Sequence, residues 1–156
     1  MVEPSEQLQL VFDKAVDVAK KLQHEYVTLE HLLFAMLCES SFAKIIEGYG
    51  SDPEFLKKNV ENYLKTQTEK IQMDPAVAKK YKPKKTHAVE RVLNRAFTQV
   101  LFSGRSHIDC SDVFLSIMNE KKSWSYYHIA KTNIDKDKFA DYLNNEMADN
   151  YEDEEM

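Results

Sequence analysis

Two histidines and two glutamates, His24, Glu25, Glu30 and His31, fall within the stretch "HEYVTLEHLL". Imidazoles and carboxylates at that density are the groups that hold a metal ion or move a proton. A zinc site of the HExxH kind sets its two histidines one helical turn apart, so that both rings face one ion. Here His24 and His31 are seven residues apart with a bend expected at 26–28, and the spacing does not imply that geometry. His31 reads instead as the third residue of a helix, helping to close its N-terminus behind Thr28 as cap. Glu25 and Glu30 sit off the apolar stripe and are read as exposed carboxylates at the corner between two helices.

Ser103, Ser106, His107 and Asp109 contain the residue types of a hydrolytic triad, but nothing in their spacing sets a nucleophile beside an oxyanion hole. Cys38 and Cys110 have no CxxC partner, so neither a disulfide framework nor a zinc site is signalled, and a reducing cytosol fits best. Only Gly48, Gly50 and Gly104 occur, and both the GxxxxGK[ST] and GxGxxG loops that cradle phosphate are missing. No catalytic residue, cofactor or metal is therefore assigned, and an enzyme is the least favoured class.

The net charge of −5 comes largely from the C-terminus, where Glu146, Asp149, Glu152, Asp153, Glu154 and Glu155 cluster. Without them the body is near neutral, which argues against a general nucleic-acid binder, since that needs a basic face. One basic run does exist. "KKYKPKK" (79–85) is read as solvated linker, with a patch for nucleic acid or an acidic partner as the alternative. Trp124, Tyr126 and Tyr127 are read as core and rim. The N-terminus lacks the basic-then-apolar order of a signal peptide, and no apolar run reaches the roughly 18 residues of a membrane span. The expectation is a soluble cytoplasmic monomer.

The elements that position these residues follow from periodicity. Val11, Phe12, Ala15, Val16, Ala19 and Leu22 recur at the three-then-four spacing of an amphipathic helix over 5–23. A second helix covers 29–38, and "SSFAKIIEGYG" makes a short third one stopped by Gly48 and Gly50. Asp52 as cap and Pro53 at the first position open a fourth over 53–66. After a lysine- and proline-bearing linker at 67–86, "HAVERVLNRAFTQVLFSG", "DCSDVFLSIM", "SWSYYHIAK" and "DKDKFADYLNNEM" make four more.

The second set of four repeats the first. An offset of 81 pairs Ala15 with Ala96, Val27 with Ile108, Leu32 with Val113 and Leu33 with Phe114; further on, an offset of 83 pairs Asp52 with Asp135, Leu56 with Phe139 and Val60 with Leu143. The expectation is an all-α bundle of eight helices from two pseudo-twofold four-helix repeats, 5–66 and 87–146, forming one domain over 1–146. Residues 147–156 are expected to form a disordered acidic tail.

This tandem repeat, with "HEYVTLEHLLFAML" in the first half and "RVLNRAFTQVLFSGRSHIDCSDVFLSI" in the second, resembles the Clp N-terminal domain, the module at the front of ATP-dependent Clp unfoldases. The resemblance covers roughly 5–146, rests on Thr28, Glu30, His31, Leu32 and Leu33 and on the "SGR" at 103–105, and lies nearest the ClpA branch. It implies a non-enzymatic protein-binding module that meets the adaptor ClpS, or a Clp substrate. It places Glu25 and Glu30 on the adaptor surface, with Thr86, Arg91 and Arg95 matching further positions of that surface. Arg91 and Arg95, one turn apart, share a helix face. A freestanding copy would modulate Clp proteolysis, for instance as a decoy for the adaptor. The alternatives are the recognition front end of a longer unfoldase and an accessory subunit on the protease core.

Overall fold

The computed structural model describes residues 1–68 and 74–155. In chain order the elements are β1 (Glu3–Pro4), α1 (Glu6–Lys21), β2 (Tyr26–Val27), α2 (Leu29–Leu37), α3 (Ser40–Tyr49) and α4 (Pro53–Thr66). There follow α5 (Pro75–Ala78), β3 (Lys84–Lys85), α6 (His87–Phe102), β4 (His107–Ile108), α7 (Cys110–Ile117), α8 (Trp124–Lys131) and α9 (Lys136–Glu155). The protein is an all-α bundle of eight principal helices in two related sets of four, joined through the one-turn α5. Residues 69–73 of the expected linker lie outside the described residues.

The helices start where the caps place them. Ser5 and Thr86 accept backbone N–H groups at the starts of α1 and α6, from Leu8 (3.1 Å) and Val89 (3.2 Å). Asp52 and Asp135 do the same for α4 and α9, with N–H donors Glu54 and Lys138 at 3.0 Å each. The two long-helix pairs end alike as well. Gln23 (φ 60°) after α1 and Gly104 (φ 76°) after α6 are both left-handed and 81 residues apart. Gly50 (φ 111°) and Asn133 (φ 62°) make the same turn 83 residues apart. Gln23 alone among these is neither glycine nor asparagine. Gln23→Gly is expected to raise stability by about 0.5–1 kcal/mol, read as a rise in the urea midpoint at unchanged slope.

Two short parallel ladders sew the halves together. β1 pairs with β4 (Glu3 opposite His107), and β2 pairs with β3 (Tyr26 opposite Lys84). The offset of 81 maps β1 onto β3 and β2 onto β4, so each half lends the strand before its first helix to the other half. Two-residue strands are too short to show alternation in a sequence, which is why periodicity does not reveal them.

The core lies between the halves. Phe42 of α3 packs on Phe114 of α7 (5.3 Å between ring centres), and Phe114 on Phe139 of α9 (5.1 Å). Every apolar pair matched by the offsets is buried except that Leu143 is half-buried, while the capping pair Asp52 and Asp135 is exposed. No described helix is long and apolar enough to cross a membrane. α9 does not stop at 146, as the sequence reading has it, but runs to Glu155 through the segment expected to be disordered. No glycine or proline follows Gly104 to break it.

Candidate functional site

The corner between α1 and α2 is built around His24 and His31. The Thr28 N–H donates to His31 Nδ1 (3.0 Å), closing the capping box, and the Thr28 hydroxyl lies 2.8 Å from the same nitrogen. An Nδ1 that accepts puts the ring proton on Nε2, which faces His24 Nδ1 at 2.7 Å. The two rings the spacing leaves apart are thus in contact as a hydrogen-bonded pair. Burial, and secondarily His24, lower the pKa of His31 to about 3. Among the described residues no three His, Cys, Asp or Glu groups are placed to hold a metal ion.

In the second half the same offset of 81 replaces His24 by Arg105 and His31 by Asp112, and these two form an ion pair. Asp112 closes the capping box of α7 by accepting the Asp109 N–H (2.8 Å). One geometric device therefore appears twice, as an imidazole pair in one half and an ion pair in the other. The triad letters dissolve into this arrangement: Asp109 caps α7 beside Arg105 (4.0 Å), and Ser103 donates to the Val100 carbonyl (2.9 Å). Ser106 and His107 touch (2.9 Å), but both are exposed. Burial pushes the Cys110 thiol up to about 12, leaving it unreactive.

Glu30 is not the exposed carboxylate its sequence position suggests. Only 8% of it is accessible, and its Oε2 accepts both the N–H (3.1 Å) and the hydroxyl (2.5 Å) of Ser125 at the start of α8. Burial raises its pKa, against the opposing pull of those two bonds. It is a pin between α2 and α8, 95 residues apart in sequence. Glu25 is exposed, and its carbonyl accepts the Lys84 N–H (3.1 Å), while the Thr86 N–H donates to Val27 (3.2 Å). The β2–β3 ladder therefore has Glu25 at one end and Thr86 at the other, and the Thr86 hydroxyl is used as the cap of α6.

Arg91 and Arg95 converge on Glu120, just beyond α7. Arg91 Nε donates to Glu120 Oε1 (3.0 Å), and Arg95 donates to Oε2 (3.1 Å) and to the Ser116 carbonyl (2.9 Å). Arg91 above all holds the Glu120 carboxyl below its usual range. Sequence reasoning missed Glu120, whose counterpart at the offset of 81 is Glu39, the cap of α3. Arg91 remains largely open to solvent, whereas Arg95 lines a groove of about 760 Å³ with Phe42, Ile45, Arg105, Leu115 and Lys136. Trp124 and Tyr127 lie exposed at the rim and flank His128 together with Tyr63, while Tyr126 packs against the core. The whole offers fixed polar and aromatic surfaces for contact.

Residues 3–132 match the model of the family described as the Clp repeat (R) N-terminal domain. A ClpA homolog protein of Fuscovulum blasticum is 29% identical over 134 residues, covering 83% of this chain and 16% of that one. The chain thus spans about a sixth of that relative's length. The fold is similar to that of the Hsp104 N-terminal domain from Candida albicans (TM-score 0.74, 10% identity, 90% of this chain and 88% of that one). It is also similar to the ClpV N-domain in its complex with a VipB peptide (TM-score 0.65, 15% identity, 86% and 80% covered).

Proposed function

The chain belongs to the Clp repeat N-terminal domain family, and from that premise we propose that it is a module that works by binding protein, presenting the α1–α2 corner and the start of α6 to an adaptor of the ClpS kind or to a Clp substrate. The observation that carries this reading is the β2–β3 ladder, which fixes the Glu25 segment of the first half against the entry to α6 across the seam between the halves, with Glu25 at one end and Thr86 at the other. Arg91 on α6 adds a forked cation to a polar surface of the sort that steers charged partners. The VipB peptide bound by the ClpV N-domain supports peptide or protein capture as the mode of action. Bound there, the chain would modulate Clp-dependent proteolysis, as a decoy where it competes for the adaptor.

Titration calorimetry of the chain against purified ClpS tests this. Micromolar binding is expected, with Glu25→Arg weakening it by about 5- to 30-fold at a nearly constant melting temperature, and Arg91→Glu weakening it similarly with some fall in melting temperature because it sets a carboxylate against Glu120. No heat at high micromolar concentration would reject the adaptor reading. A second reading is favoured by the 16% coverage of the ClpA homolog: the same module is the recognition front of a longer unfoldase. Docking on the protease core is the remaining alternative, marked by co-purification with the protease and not with the adaptor.

A further inference from the structure

The basic run that composition assigns to solvated linker is an ordered surface. The Tyr81 hydroxyl donates to the His24 carbonyl (3.0 Å), Pro83 is buried, and Lys84 and Lys85 form β3 against β2. The Lys20 ammonium donates to the Lys79 carbonyl (2.9 Å), drawing the end of α1 against this segment. Lys85 lies over the ring of Phe12 (5.9 Å). The chain is thus held at both ends and in the middle, and its lysines are presented and not tumbling.

These charges form a cluster of one sign. Lys79, Lys80, Lys82, Lys84 and Lys85 are all exposed, and none joins an ion pair among the described residues. The one nearby lysine so paired is Lys21, with Asp17 (3.0 Å). In a protein whose net charge is −5, such a concentration of one sign is a local exception, and like charges held this close repel one another. A ligand that brings carboxylates relieves that repulsion without ordering any further backbone.

We propose that the lysine corner formed by Lys20, Lys79, Lys80, Lys82, Lys84 and Lys85 docks a carboxylate-rich segment of a protein partner. The inference rests on the protein-binding reading above and names the chemistry of the partner at the same corner, since Lys84 is hydrogen-bonded to Glu25 through the backbone. Protein is favoured over nucleic acid for two reasons. The patch contains lysines only, without the arginine forks that grip phosphate, and the surrounding chain is acidic, which opposes a polymer carrying a charge every few ångströms.

The probe is a fluorescein-labelled deca-glutamate peptide, titrated by anisotropy against the full 156-residue chain. Binding is expected at low salt, weakening at least about tenfold between 50 and 200 mM salt. The double variant Lys82→Glu/Lys84→Glu, both positions being exposed, should weaken it by about tenfold or more at an unchanged melting temperature. No binding at 50 mM salt, or equal binding by the double variant, overturns the proposal. So does tighter binding of a twenty-base oligothymidylate than of the peptide. A salt-reversible rise in molecular mass with concentration would make the acidic residues 146–155 of a second copy the occupant and overturn the assignment to a partner protein. If ClpS fails to bind while the peptide binds as described, the adaptor reading falls and the lysine corner stands. If ClpS binds and the peptide does not, the reverse holds.

Discussion

Replacing Glu30 by alanine is expected to lower stability by about 2–3 kcal/mol and the melting temperature by roughly 5–10 °C. The Ser125 N–H and hydroxyl that Glu30 accepts lie in a fully buried residue, so truncation strands two polar groups away from water. Each such group costs about 1–3 kcal/mol, part of which is offset because the buried carboxylate is itself penalised by desolvation. Glu30→Gln keeps an acceptor of the same shape and should lose about half as much. An exposed surface carboxylate would shift stability by no more than about 0.5 kcal/mol on truncation, so a melting temperature indistinguishable from wild type would sink the buried-pin account. Glu30 also carries a pH signature. Its folded pKa is raised above 4.5, so its contribution is full below that value and is lost as pH rises through the raised pKa. Glu30→Gln removes that loss. A charge reversal at Glu30 would abolish partner binding by loosening α8 from α2, which makes Glu25 and Arg91 the informative positions for interface tests.

The misreading of Glu30 has a physical cause. Periodicity assumes one apolar face per helix, and α1, α4 and α6 obey it, with Ala15, Val60 and Ala96 on their buried stripes. α2 does not. Every residue from Leu29 to Leu37 except Phe34 is buried, so this helix is central and has no solvent side for Glu30 to face. The signal was present in "LEHLLFAML", which is apolar all round apart from Glu30 and His31, a pattern of fully buried helices. What the sequence does not contain is the partner, because nothing about Ser125 marks it as a donor to a residue so distant in the chain.

The repeat, by contrast, was legible well beyond its core positions. The offsets that match Leu33 with Phe114 also match the caps Ser5 with Thr86 and Asp52 with Asp135. They match the two capping boxes and even the left-handed turns. Surface chemistry diverges where the halves differ. At the offset of 81, Leu10 and Lys14 of α1 stand where α6 has Arg91 and Arg95, so only the second half builds a clamp on an acid beyond its second helix. Likewise Lys84 and Lys85 of β3 stand where β1 has Glu3 and Pro4, so the basic corner exists on one side of the pseudo-twofold axis alone.

The His24–His31 pair makes the fold sensitive to acid, and this is expected to be its steepest pH dependence between 6.5 and 4. His31 is fully buried, with its pKa lowered to about 3 against 6.5 for an unperturbed ring. A folded pKa below the unfolded one means that the unfolded chain takes up the proton first as pH falls. The contribution is therefore complete above 6.5 and is lost progressively toward 3, by up to about 1.4 kcal/mol per pH unit. Glu30 works in the opposite sense over part of this range, so the slope of the intact protein is a difference of the two. Urea denaturation of wild type at pH 7, 6, 5 and 4 should show a loss of about 2–3 kcal/mol. His31→Asn keeps an acceptor for the Thr28 N–H but severs the link to His24. It should start about 1–2 kcal/mol less stable at pH 7 and lose less on acidification, and His24→Leu/His31→Asn should show the same flattened profile. A double variant with the wild-type slope would place the acid-sensitive group outside this corner and leave the buried pair without the role assigned to it.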